Sequence, residues 1–464
     1  MIIIRRNKLK SSNTIKSYID NESDQMLSYA LLFPMLMLSI QFFLLTTIDL
    51  YNTQWQKWVR LLSIGMTGIV FSVVTPMVIR RVWKEIFFYY LTVGALFLLT
   101  YWLFSANRPY LVSEAFSVFF ISLPVFLVAM SIQDYKHFLL AMRHSALVIG
   151  VLSGLVGIIN LYGTINGKAY SMTLAYYLLF PSIILLLNLF HKFSILNFLV
   201  FILLTLLIII KGSRGPLICM AAFVMLMTFS PHTVLDPVKI KNRIRKTGIL
   251  LVVFLLALFN QQLFGFINEF SKSAGIYSRT AHILSGEYAK IKENNNSAKE
   301  EAASAENEAA INGDEALTSK EIIRDIDFEG ETGIYLAGRE ALYTVVVRSL
   351  LEKGLIPLGI MGDRVLTGGA YVHNIILEIL AHFGLFFGLI LLLFFLWTLI
   401  RVVKVANKLH FEVLAVWFST GLVPLLFSWS YLTSLQFWIF WGLVSSILKN
   451  VSKSSGAQEG RGIE

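Results

Sequence analysis

Apolar residues in this chain do not alternate singly with polar ones. They run in unbroken blocks near the 17 to 25 residues that a helix needs to cross the hydrocarbon of a bilayer. Twelve blocks stand at about 27–48, 61–79, 86–104, 115–132, 145–162, 171–190, 194–210, 215–230, 248–260, 380–400, 411–428 and 432–448. Pro34, Pro76, Pro124, Pro181 and Pro424 interrupt some of them. Membrane helices accept such breaks because neighbouring groups satisfy the freed carbonyls. The pattern predicts an all-α polytopic membrane protein of about twelve transmembrane helices.

Composition agrees. Of 464 residues, 56% are hydrophobic and 15% charged, too little polar surface to clothe a water-soluble globule. The one cysteine, Cys219, lies within an apolar block, so neither a disulfide framework nor a thiolate metal site is available. The first block follows a polar leader with Asp20, Glu22 and Asp24 and precedes no small-residue cleavage site, and it reads as an uncleaved span.

The net charge of +10 is concentrated in alternate loops: Arg5, Arg6, Lys8 and Lys10; Arg80, Arg81 and Lys84; Lys136 and Arg143; Lys192; 239–246; Arg401, Lys404 and Lys408; and Lys449. Basic residues stay on the cytoplasmic side, so both termini (1–26 and 449–464) are expected in the cytoplasm of a cell bounded by this inner membrane. This distribution explains the basic balance without a nucleic acid partner. Between the ninth and tenth spans, residues 261–372 form one long external loop. Its middle, 293–318, is rich in Ala, Glu, Asn and Ser and is either a solvated helix or disordered. Its far flank is different: Leu342, Val345, Val346 and Leu350 recur at helical spacing from Arg339 to Lys353, and Gly354 is a plausible stop.

Three constellations carry candidate chemistry. Lys211-Gly212-Ser213-Arg214-Gly215-Pro216, at the outer junction of spans seven and eight, is either a phosphate cradle at a helix start or a pair of snorkelling cations. Arg279, Arg339 and His373 are spread through the external loop, where Arg fits phosphate oxygens through paired N–H groups or simply forms surface ion pairs. His373-Asn374, with Glu378 and His382 beyond, opens the tenth span. His373 suits a general base, Asn374 and Glu378 are possible auxiliaries, and His382 reads as an interfacial or packing residue. No Asp-x-Asp or similar ligand cluster stands out, so no metal or other cofactor is expected.

On these residues the chain resembles the O-antigen ligase and Wzy O-antigen polymerase superfamily of bacterial membrane glycosyltransferases. The likeness lies in the late long external loop and in three anchors: Ser213-Arg214-Gly215; Gly338-Arg339 leading to Pro357-Leu358-Gly359-Ile360-Met361-Gly362; and His373-Asn374 followed after nine residues by Gly384. Phe387 stands where the family pattern has Gly, Thr or Tyr, and this departure favours a polymerase over a ligase. The resemblance implies a GT-C-like fold with a large, mainly helical external loop. It also implies an undecaprenyl-diphosphate-linked oligosaccharide donor and acceptor in the lipid bilayer, and a polysaccharide chain-length regulator as partner. Arg214, Arg279 and Arg339, with Lys211, would hold the diphosphate, and His373 would activate the acceptor hydroxyl for inverting transfer. The alternative within the family is a ligase that moves polysaccharide onto lipid A core.

A lipid-linked sugar flippase is the competing class, but such proteins line a central path with charge and show internal repeats, and neither is visible here. In a Cys219→Ser background, a cysteine at residue 300 should react with an impermeant maleimide added from outside, and one in 231–247 should not. Labelling of residue 300 only from the cytoplasm would reverse the orientation.

Overall fold

A computed structural model describes residues 2–47, 55–162, 172–210, 215–230, 339–353 and 356–459. These form helices and turns, with no strand among the described residues. The elements are α1 (Ile2–Thr47), α2 (Trp55–Leu103), α3 (Arg108–Ser117), α4 (Leu123–Ser131), α5 (Tyr135–Tyr162), α6 (Met172–His191), α7 (Ile195–Ile210) and α8 (Gly215–Thr228). After the undescribed stretch come α9 (Arg339–Lys353), α10 (Gly362–Leu366), α11 (Ile375–Val405), α12 (Lys408–Trp417) and α13 (Leu435–Glu459). Among the described residues seven helical segments are long and apolar enough to cross a membrane, and Ile195–Ile209 and Gly215–Thr228 are shorter apolar helices. Eleven of the twelve expected blocks fall on helix; the block at 248–260, the 231–247 loop and the 293–318 stretch lie outside the described residues.

The blocks at 61–79 and 86–104 belong to one 49-residue helix, α2. If straight it would be about 74 Å long, more than twice the hydrocarbon thickness. It is not straight, because Val82 leaves helical geometry (φ −140°, ψ 32°). Arg81 at this break donates to Asp24 Oδ1 (2.7 Å) on α1 and to Ser131 O (2.8 Å) at the end of α4. Both ends of α2 instead meet the segment around residue 360: Asn107, just past its C-terminus, donates to Ile360 O, and Arg60 near its start lines a cavity with Arg364. The helix is therefore a hairpin of two antiparallel halves.

The helices alternate in direction and give the bundle two ends. At the first, Asp24 accepts from both Arg81 and Gln133 N, Lys449 pairs with Glu85, and His191 lies 3.1 Å from Glu412. The basic residues Lys136, Lys192, Lys404 and Lys408 sit at the helix termini of this end, and Arg80 lies beside the Val82 break. At the second end, Asn107, Glu114, Asn374 and Trp429 converge on the segment from 356 to 374 and on the turn after α12.

Two prolines shape the helices that carry this second end. A proline has no N–H, so the carbonyl four residues earlier loses its donor. Ahead of Pro124 and Pro424 the chain widens into single π turns, Val118–Ser122 and Phe418–Leu422, closed by Leu123 N to Val118 O and by Val423 N to Phe418 O. Helix α13 then packs tightly along α4, and Gly442 allows the approach. A Cβ there would stand 2.5 Å from Phe126 O and 2.6 Å from Ala129 Cβ. Gly442→Ala should lower stability by about 1–3 kcal/mol through overpacking, read as a lower midpoint of thermal unfolding in detergent. Gly94→Ala, which meets nothing within 4 Å, should not lower it.

Candidate functional site

The segment between α9 and α11 is a strap laid over the second end of the bundle. Asn107, 3% exposed, holds it by donating to Leu358 O (2.8 Å) and Ile360 O (2.9 Å). Gly359 is left-handed (φ 79°), and a Cβ there would meet Phe104 at 2.6 Å, so the Pro357-Leu358-Gly359 passage needs glycine for both reasons. Helix α9, at the position its periodicity predicts, seats Val346 and Leu350 against Leu358, Val372 and Ala381. Gly384 breaks α11 (φ 74°, ψ 167°). The break frees Ala381 O from its helical donor, and Leu358 N takes that place at 3.0 Å.

Beneath the strap lies a buried polar network. His382 Nε2 is 2.8 Å from Asp363 Oδ1, and Nδ1 is 2.9 Å from Tyr431 Oη. Met361 N–H also faces Nε2, at 3.2 Å. Asp363 Oδ2 accepts from Val372 N (3.3 Å). Glu378 accepts from Ser430 Oγ and from Tyr431 N (3.2 Å). Asp363, Glu378 and His382 are each 2% exposed or less. Burial alone would raise the Asp363 carboxyl, but the His382 ring, Arg364 and Val372 N–H outweigh it and hold it below its ordinary range. Burial, with the two carboxylates nearby, pushes the Tyr431 phenol far above its ordinary range. The phenol therefore keeps its proton within the network.

This network fixes the backbone around it. Among the described residues three non-glycine residues are left-handed: Met361 (φ 68°), His373 (φ 58°) and Trp429 (φ 60°). Each stands at or next to a residue whose N–H or side chain bonds the network. Such conformations cost about 1–3 kcal/mol apiece and persist only where the surroundings over-determine them. The result is that Arg364, Tyr371 and Trp429 are presented to one cavity of about 750 Å³, with Arg60, Glu114 and Ser430. Arg364 Nη1 is 2.7 Å from Glu114 Oε1, and the Tyr371 ring lies 4.0 Å from that of His373. Tyr176, on another wall, stands against Gly215, the residue after Arg214; a Cβ on Gly215 would collide with its hydroxyl.

The structure thus gathers part of the expected site. His373 is half-buried beside the cavity wall. Asn374 is the N-cap of α11, its Oδ1 accepting from Ile376 N (3.0 Å) and Leu377 N (3.2 Å) while its Nδ2 donates to Leu426 O. Glu378 has both oxygens engaged in the network and anchors the turn after α12. His382, read from the sequence as a packing residue, is the centre of that network. Arg339 opens α9; its side chain, like Lys211, Arg214 and Arg279, lies outside the description. Sequence reading missed Asp363, Arg364, Glu114 and Trp429. Glu378 and His382, one helical turn apart on a membrane helix, were the available signal, since intramembrane ionisable residues rarely stand unpaired. The sequence reading expected no metal. Even so, Asp363, Glu378 and His382 bring ligand atoms within 4.8 Å of one another, a donor set able to hold a cation. Each is also engaged by protein partners.

No protein-family model, curated protein or solved structure matches this chain. Its class therefore rests on the fold: an α-helical membrane protein with an aromatic and cationic cavity at the less basic end.

Removing the buried carboxylate leaves the His382 ring and Val372 N–H without the acceptor they share, so Asp363→Ala should lower stability by about 1–3 kcal/mol. A carboxyl whose folded pKa lies below its unfolded value stabilises the fold fully above that unfolded value. The wild-type advantage should therefore be intact above about pH 5 and fade as pH falls through and below about 4. Thermal unfolding of both proteins across pH is the measurement, and parallel curves would refute it.

Proposed function

We propose that this chain is a membrane glycosyltransferase that joins polyprenyl-diphosphate-linked oligosaccharide units into a polysaccharide. The observation that carries the reading is the cavity at the less basic end, where Arg364, Tyr371 and Trp429 are presented together beside His373. Cations suit a diphosphate, aromatic faces suit sugar rings, and the apolar helices around them suit an isoprenoid tail. In this reading the chain crosses the inner membrane twelve times, with both termini cytoplasmic and the cavity facing outward.

The transfer needs two things from the protein. The diphosphate departs as an anion, and Arg214, Arg279 and Arg339, with Lys211, offset its developing charge. The acceptor hydroxyl loses a proton as it attacks the anomeric carbon, and His373 Nδ1 or Nε2 receives it. Attack opposite the leaving group inverts the anomeric centre. A left-handed His373, fixed between Val372 and the Asn374 cap, gives this ring little freedom to leave its place.

The test uses purified protein, lipid-diphosphate-linked repeat units and products resolved by size. Wild type should give longer chains, and transfer only to added lipid A core would make it a ligase. Arg214→Ala, Arg339→Ala and His373→Ala should each reduce extension by about a hundredfold or more, the loss expected for one transition-state contact. Arg→Lys should restore part of it, because charge remains and the paired geometry does not. Wild-type rates in both arginine variants would overturn the reading, and inhibition by EDTA would overturn its metal-independent form.

A further inference from the structure

We propose that Arg364 is an anion receptor whose ligand is the phosphate head of an isoprenoid lipid, and that Glu114 is its exchangeable counter-ion. This rests on the reading above for the lipid and on the geometry for the site. The Arg364 side chain is 10% exposed, yet Glu114 takes only Nη1. The Nε–H is buried and has no acceptor. A guanidinium in that state is not satisfied by the protein, since a buried donor without a partner is unfavourable by more than a made bond is favourable.

Phosphate has the oxygens to match this cation. It can take the Nη1–H that Glu114 releases together with a second guanidinium N–H, the paired geometry that makes Arg the usual phosphate ligand. Arg60 lines the same cavity and adds a second positive charge. Tyr371, whose ring lies 5.9 Å from the Arg364 guanidinium carbon, steadies the cation from the side. The remaining walls include Leu38, Ile64 and Phe71 on α1 and α2, an apolar lining suited to the first isoprene units.

Glu114 gives the site its control. Its side chain is 20% exposed, so it can turn toward water when a more highly charged anion arrives. With the site empty it keeps Arg364 from standing as a lone buried charge. Positions 114 and 364 lie outside the sequence anchors that suggested the enzyme class, and lipid binding is read separately from chain extension, so failure of this site and failure of that class are told apart.

The full chain in phosphatidylcholine nanodiscs, titrated with undecaprenyl diphosphate and followed by native mass spectrometry, tests the proposal. Arg364→Gln should weaken binding at least tenfold, and Arg364→Lys should lie between it and wild type. Glu114→Gln removes the competing anion and should tighten binding severalfold. Equal affinity in wild type and Arg364→Gln overturns the site, as does a Glu114→Gln protein that binds as weakly as Arg364→Gln, because the pair is then structural. Competition by phosphatidylglycerol or by inorganic diphosphate as effective as by the isoprenoid overturns the ligand assignment. Tight binding dependent on Arg364, in a protein that extends no chain, leaves this site standing and removes the polymerase reading.

Discussion

An imidazole locked between a carboxylate and a phenol, out of reach of water, is the contact on which the second end of this bundle depends. His382 can sit inside α11 only because Asp363 comes down to it from the strap and Tyr431 from the turn after α12. Each partner in turn carries a chain segment that would otherwise have no reason to adopt its shape. Met361, His373 and Trp429 are held left-handed by neighbours of this one ring. The strain is local, and the hydrogen bonds that hold it come from three separate elements.

The opposite end is built on the same principle with a different task. Asp24 collects Arg81 and Gln133 N, and so fixes the point where α2 reverses against α1 and α4. Without that clasp the Val82 break would be a flexible joint between two long apolar helices whose outer faces pack against little protein. Polar bonds at the two ends set where the helices begin and turn. Apolar contact along their lengths, with Gly442 on α13 as its closest approach, then fills the space between.

The cavity follows from both. Arg364 reaches it because Asp363, the residue before, is pinned beneath, and Trp429 because Ser430, the residue after, is tied to Glu378. A site positioned in this way is rigid at the backbone and adjustable only at side-chain tips such as Glu114.

The sequence by itself determined the helices. Block length marked them as membrane helices, periodicity placed α9 and its buried face, and prolines and glycines marked the blocks that could be interrupted. These are properties of neighbours within a turn or two, and neighbours are what a one-dimensional pattern records. Tertiary structure alone decided that the blocks at 61–79 and 86–104 are arms of one hairpin. It alone decided that His382 is a keystone rather than a packing residue, and that Arg364 and Arg60 share the cavity. Those outcomes are set by polar pairs such as Asp24 with Arg81 and Glu114 with Arg364, which stand 57 and 250 residues apart. A buried charge accepts whichever partner packing brings within reach, and no spacing along the chain encodes that choice.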